Sequence, residues 1–85
     1  MAQIINSDKQ FKVIEVYPSD CLQWGGLGIC DHCNTPIRKG YYVAVLNSVL
    51  CEKCYNLWHK NAKNYPEDRR IEENNFNRMK AILKL

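Results

Sequence analysis

The residues that decide this fold are CDHC at positions 30–33 and CEKC at positions 51–54. Each is a Cys-x-x-Cys pair, and seventeen residues separate the two pairs, a spacing typical of a four-thiolate zinc site. A two-residue gap lets one tight turn bring two sulfur atoms to the same ion, and the amides of that turn stabilise the sulfur charge. The sequence therefore predicts one structural Zn²⁺, with four ligands: Cys30, Cys33, Cys51 and Cys54.

Other uses of paired cysteines fit the sequence less well. A thioredoxin-like pair needs a βαβ frame, and c-type haem attachment needs a histidine where Asn34 and Tyr55 stand. Tetrahedral thiolates also accept iron, so that metal stays open as an alternative. His32 and His59 are alternative ligands, but four cysteines already complete a tetrahedron. Cys21 is interpreted as a spare thiol, with ligand exchange as the alternative.

A closed ligand set has no position for a water molecule, so we predict that the chain is not an enzyme. A nuclease of the His-Asn-His type would need a histidine on the hairpin, and residues 41–50 contain none. A redox or metal-dependent enzyme is a remote alternative. No cofactor besides the metal and no small-molecule substrate is evident from the sequence.

The length and the charge of the chain limit the classes of protein to which it can belong. A single domain of 85 residues buries little apolar surface, so metal binding is expected to supply much of its stability. Four thiolates contribute −4 and the ion +2, which brings the formal net charge of +3 to about +1. We find no signal peptide or membrane span in the sequence, and paired thiols favour the cytoplasm.

The pattern of the chain predicts an α+β domain. Residues 1–9 are expected to be loosely ordered, residues 10–17 a strand, and residues 21–29 a glycine-rich loop that brings Trp24 near the metal. A hairpin follows, with strands at residues 41–46 and 49–50 and a turn at residues 47–48. A helix is predicted from Glu52 to about Lys63, and its buried face is expected to include Cys54, Leu57, Trp58, Asn61 and Ala62.

A second, amphipathic helix is predicted over residues 66–85, with Pro66 in its first turn. Its apolar arc comprises Ile71, Phe76, Met79, Ile82, Leu83 and Leu85. Docking on its own domain is one interpretation, and an exposed stripe for a partner or for self-association is the other. The candidate partner contacts are Phe76, Met79, Ile82 and Leu83.

The order of knuckle, hairpin and helix over residues 30–64 resembles the treble-clef zinc fingers, in which a knuckle and a helix each supply two ligands. The spacing is also similar to that of GATA-type DNA-binding fingers. Residues 35–39, Thr-Pro-Ile-Arg-Lys, resemble their Thr-Pro-Leu-Trp-Arg-Arg, and residues 57–60, Leu-Trp-His-Lys, resemble their Leu-Tyr-x-Lys. This resemblance implies a small zinc-stabilised treble-clef-like domain, extended by an N-terminal strand and a C-terminal helix.

Two functions follow as expectations. The first is a non-enzymatic zinc module that contacts a protein through its C-terminal helix. The second is nucleic-acid binding, in transcription or DNA processing, through the cations Arg38, Lys39, Lys53, Lys60 and Lys63. The first is slightly favoured because thiolates reduce the net charge and four acids at positions 67–73 interrupt the basic C-terminal part.

Overall fold

The computed structural model describes residues 2–6, 11–26 and 28–85. Its centre is a four-stranded antiparallel sheet in the order β1-β2-β3-β4. The strands are β1 (Gln3–Asn6), β2 (Lys12–Val16), β3 (Gly40–Val43) and β4 (Ser48–Cys51). The helices are α1 (Pro18–Cys21), α2 (Glu52–Asn61) and α3 (Arg69–Leu83), with 3₁₀ turns at Leu22–Trp24 and Pro66–Asp68. The predicted α+β class is therefore confirmed.

Helices cover both faces of the sheet. Tyr41 and Tyr42 are neighbours in β3 and point to opposite faces. The ring of Tyr41 stacks on Tyr55 of α2, with centroids 4.4 Å apart, while Tyr42 lies against Trp24, with centroids 6.4 Å apart. Because both faces are covered, the four residues 13–16 of β2 are all buried, and these include the carboxylate residue Glu15.

The expectation that residues 1–9 are loosely ordered is wrong for the part that the structure describes. Residues 3–6 form β1, an edge strand that pairs with β2; residues 1 and 7–10 lie outside the described part of the chain. Gln3 is opposite Glu15 in the register, and its side-chain amide donates a hydrogen bond to the Glu15 carboxylate. The strand exists because of this pairing with a distant segment, which local sequence does not reveal.

The predicted loop at residues 21–29 contains a 3₁₀ turn and follows a short helix. Pro18 fixes a helical φ at the first position of α1, and the Asp20 carboxylate accepts a hydrogen bond from the backbone N–H of Tyr17 at 2.9 Å. This turn brings Trp24 to the face of the sheet that carries Tyr42. Residue 27 lies outside the described chain.

The hairpin turn comes earlier than predicted. β3 ends at Val43 and residues 44–47 form the turn, so Ala44, Val45 and Leu46 are not strand residues. Asn47 has a φ of 51°, in the left-handed region that asparagine tolerates. Its side-chain oxygen accepts a hydrogen bond from the Tyr42 hydroxyl at 2.7 Å. The apolar run through Leu46 concealed this turn.

The predicted helix at residues 52–63 is confirmed but ends at Asn61. Its buried face differs from the prediction, because Leu57 is 59% exposed and Asn61 is also exposed. Tyr55 contacts Tyr41, and Trp58 contacts Phe11, with ring centroids 4.8 Å apart. Because Cys54 faces the cysteine cluster, Tyr55 and Trp58, one and four positions further along the helix, face the sheet.

Helix α3 docks on its own domain. Phe76 and Met79 are 8% and 4% exposed and belong to the core. Glu72, inside the predicted apolar arc, is buried and accepts a hydrogen bond from the Lys12 backbone N–H at 3.1 Å. Asn75 donates from its side chain to the Ala44 carbonyl at 2.9 Å. Ile71, predicted as part of the apolar face, is instead 56% exposed.

Candidate metal centre

Four cysteine sulfur atoms converge at one end of the sheet. The Sγ atoms of Cys30, Cys33, Cys51 and Cys54 all lie within 4.8 Å of one another. Those of Cys33 and Cys51 are 3.8 Å apart, and a regular tetrahedron with metal–sulfur bonds of ~2.3 Å has sulfur atoms ~3.8 Å apart. The four predicted ligands are therefore positioned to bind one metal ion, and the donor set is all thiolate.

The first pair lies in a tight turn, residues 30–33, here called the knuckle. The turn is closed by a hydrogen bond from the Asn34 backbone N–H to the Cys30 carbonyl at 2.9 Å. Asn34 has a φ of 61°, which reverses the chain directly after the second ligand. The Cys30 backbone N–H donates to the Thr35 carbonyl at 2.9 Å, so the turn is held from both sides.

The second pair spans a strand-to-helix junction. Cys51 is the last residue of β4, and Cys54 lies in the first turn of α2. Cys51 has extended backbone with φ −69° and ψ 166° as the N-cap of the helix. This change of direction points both side chains toward the knuckle, as the sequence predicted.

Asp31 joins the knuckle to the hairpin. Its carboxylate accepts a hydrogen bond from the Val49 backbone N–H at 2.7 Å, and its own N–H donates to the Val49 carbonyl at 2.8 Å. Val49 is two residues before Cys51, so this pair of bonds fixes the distance between the two cysteine pairs. Sequence reasoning missed Asp31, because nothing in a single sequence distinguishes this acid from an exposed loop residue.

Hydrogen bonds prepare the knuckle for negative charge. The Thr35 hydroxyl, 3.2 Å from Cys33 Sγ, is the main cause that lowers the pKa of Cys33 to about 6 from an ordinary 9.0. Burial raises the pKa of Cys30, but backbone N–H groups of Cys33, Cys51 and His32 outweigh it and lower the pKa overall. The backbone nitrogens of Cys33 and His32 lie 3.5 Å and 3.4 Å from Cys30 Sγ.

The pKa of Cys54 shifts in the opposite direction. Its burial, followed by the nearby cysteine side chains, raises its pKa to about 12. Four thiolates this close repel one another unless a cation lies between them, and a bound metal favours the deprotonated form of each ligand. The cluster therefore combines a lowered pKa at Cys30 and Cys33 with a raised pKa at Cys54, whose deprotonation would depend on the ion.

The two histidines and the fifth cysteine lie outside this ligand set. His32 is exposed, as predicted, and its Nδ1 is 3.6 Å from Cys54 Sγ. His59, on α2, contacts the rings of Tyr55 on the same helix and of Phe11, the residue before β2. Cys21 is 1% exposed, and burial, then the charge of Asp20, raises its pKa. A buried neutral thiol fits the interpretation of Cys21 as a spare cysteine.

The structure separates the predicted cationic contacts. Lys53, Lys60 and Lys63 are exposed on or just after α2, and Arg38 is exposed after the knuckle. Lys39 is engaged within the domain, since its Nζ lies 3.6 Å from the Glu15 carboxylate and 5.8 Å from the centroid of the Tyr41 ring. Lys39 therefore belongs to a structural network rather than to the α2 surface.

The predicted partner contacts on α3 are placed mostly inside the domain. Phe76 and Met79 lie in the core, and Ile82 and Leu83 are half-buried and pack against it. A partner surface on this helix would have to use other side chains, such as the exposed Ile71.

Comparisons with protein-family models, with curated proteins and with solved structures found no match. Within residues 2–6, 11–26 and 28–85, no helix has the length and apolar character needed to cross a membrane.

Proposed function

We propose that this chain is a non-enzymatic interaction module of the treble-clef class, built around one structural zinc ion. The observation that carries the proposal is the closed cluster of four cysteine sulfur atoms, all within 4.8 Å of one another. The order of knuckle, hairpin and helix supports the treble-clef assignment. Zinc is favoured over iron because it is the usual metal of structural four-cysteine sites.

A structural role agrees with the position of the ligands. Cys30 and Cys54 belong to the hydrophobic core, and four cysteines would fill a tetrahedral site, which leaves no coordination position for water or a substrate. The metal holds knuckle, hairpin and α2 together, and function then belongs to the surfaces that it arranges. Reduced thiols of this kind suit a reducing compartment, and we propose the cytoplasm.

Contact with a protein is the favoured role, and nucleic-acid binding is the second candidate. Exposed Lys53, Lys60 and Lys63 on the α2 side support the second, because phosphate contacts require accessible cations. Lys39 is paired with Glu15, which makes it a weaker candidate for a phosphate contact than the three lysines on the α2 side. Exposed apolar side chains on the same side, Leu46 and Leu57, favour a protein.

Native mass spectrometry with elemental analysis tests the metal centre. We expect one zinc per chain, lost in Cys33→Ser and Cys51→Ser. Cys21→Ser is the matched control, because Cys21 lies outside the cluster, and this variant should keep the metal. A folded chain with two disulfides among the four cysteines, or one that retains full zinc in both ligand variants, would contradict the proposal.

Titration with a short duplex DNA and a single strand at low salt separates the two roles. Nucleic-acid binding through these lysines predicts an affinity that falls steeply as salt increases. Absence of binding at low salt would exclude this second candidate.

A further inference from the structure

Two clefts adjoin beside the metal centre, along α2. The first, about 320 Å³, extends from His32 of the knuckle to Leu57. The second, about 380 Å³, extends to Lys63 and Tyr65 after the helix. Leu46 and Trp58 border both clefts, so the two form one groove, here called the knuckle groove.

Large apolar side chains are exposed along the walls of this groove, most of all in the first cleft. Leu46, Leu57 and Tyr65 line it and are 43%, 59% and 49% exposed. They are three of the seven large apolar side chains that are exposed in the part of the chain that the structure describes. Single exposed apolar residues are normal, but a group around a concave surface is typical of a binding site.

The border of the groove is basic. Lys53 and Lys60 stand four residues before and three residues after Leu57, so they flank it on the same side of α2. Lys63 and Asp68 line the second cleft. Along the groove, three lysines, Lys53, Lys60 and Lys63, therefore stand against one lining acid, Asp68. This charge favours an acidic occupant and repels a basic one.

We propose that the knuckle groove binds an acidic peptide segment of a partner protein through two bulky apolar side chains. One side chain fills the cleft between His32 and Leu57, and the other fills the cleft beside Tyr65. Carboxylates of the segment lie near Lys53, Lys60 and Lys63. This inference rests on the proposed interaction function and names its surface and the chemistry of its partner.

The apolar character of the groove separates this partner from nucleic acid. Leucines 46, 50 and 57 dominate the first cleft, and a phosphate backbone has no apolar group to place there. Single-stranded bases stack on aromatic rings, but Phe11 and Tyr65 border the second cleft, and the aromatic rings of the first, His32 and Trp58, lie there beside three leucines. The basic border alone would suit either partner, so the leucines decide between them.

The groove also explains what the metal centre would provide. His32 comes from the knuckle and Cys54 from α2, and both line the first cleft. A metal bound by Cys30, Cys33, Cys51 and Cys54 holds these two walls at a fixed distance. Binding of the acidic peptide should therefore weaken when the metal is removed.

Selection of a random peptide library displayed on phage, against the immobilised zinc-loaded chain, tests the proposal. We expect enriched peptides that combine two bulky apolar residues with several aspartates or glutamates. Synthetic copies should bind at least tenfold more weakly to Leu57→Ser and to the double variant Lys53→Glu, Lys60→Glu. The matched controls are Leu22→Ser, at a side chain 74% exposed outside the groove, and Arg70→Glu on α3, and both should bind normally.

Zinc content and circular dichroism of each variant show that the fold is intact. The proposal would be overturned if the enriched peptides lacked acidic residues, or if Leu57→Ser bound them as tightly as the wild type does. If Ile71→Ser abolishes binding instead, the interaction function stands and this site is wrong. A different outcome is that the chain selects no peptides and binds duplex DNA. If the double variant Lys53→Glu, Lys60→Glu then loses DNA binding and Leu57→Ser keeps it, the partner is nucleic acid.

Discussion

Truncation of Met79 distinguishes an α3 that packs on its own domain from an α3 whose apolar face is covered only by a partner. Met79 is 4% exposed and belongs to the same core cluster as Tyr42 and Phe76. Replacing a buried methionine by alanine removes apolar contacts and leaves a cavity, at a cost of about 2–5 kcal/mol. In a domain of this size each kcal/mol lowers Tm by about 4–8 °C. Met79→Ala should therefore lower Tm by about 10 °C or more.

The matched control is Ile71→Ala on the same helix. Ile71 is 56% exposed, and substitutions at such positions change stability by about 0.5 kcal/mol or less. Thermal unfolding followed by circular dichroism, at a fixed excess of zinc, gives both values, since bound metal itself raises Tm. Sedimentation equilibrium should show the same oligomeric state for both variants and the wild type.

The reasoning would be refuted if Met79→Ala kept the wild-type Tm but abolished self-association or partner binding. That result would mean that Met79 is buried by another molecule. Two hydrogen bonds argue for docking, because they join α3 to its own domain: the Lys12 N–H of β2 donates to Glu72, and Asn75 donates to the Ala44 carbonyl in the hairpin turn.

Two further predictions concern carboxylates. Asp31→Ala should weaken zinc binding about 10–100-fold, the usual effect of losing a group that supports the ligands. Competition with a chromogenic chelator measures the zinc affinity, and Glu73→Ala is the control. Equal affinities of the Asp31 variant and the wild type would show that the bonds to Val49 do not position the cysteines. The pKa of Glu15 lies below its ordinary 4.5, mainly because Gln3 donates a hydrogen bond to it. Its contribution to stability should therefore be complete above pH 4.5 and disappear as pH falls through the lowered pKa. The difference in Tm between the wild type and Glu15→Gln should shrink over that window, and a constant difference would contradict this.

The metal centre could be predicted from sequence because its information is local. Each Cys-x-x-Cys pair needs only one turn of chain, and the spacing of the pairs fixed the order of knuckle, hairpin and helix. The helix beginning at Glu52 was also predictable, since Cys54 must fall in its first turn. These features depend on few distant residues.

The parts that sequence reasoning missed depend on distant contacts. β1 is defined by its pairing with β2 and by the bond from Gln3 to Glu15. Glu72 is buried inside an otherwise apolar arc because the Lys12 backbone N–H stands opposite it. Leu57 was expected in the core, but the position of Cys54 turns Tyr55 and Trp58 toward the sheet instead. Helical periodicity alone does not fix that rotation.

Each cysteine pair has one sheltered and one more accessible sulfur. Cys30 and Cys54 are 0% and 9% exposed, whereas Cys33 is exposed and Cys51 half-buried. A chelator can therefore reach the ion from the side of Cys33 and Cys51, but the other two bonds break only when the core opens. Complete release of the metal should then be limited by opening of the core, so its rate would report how often this small domain opens.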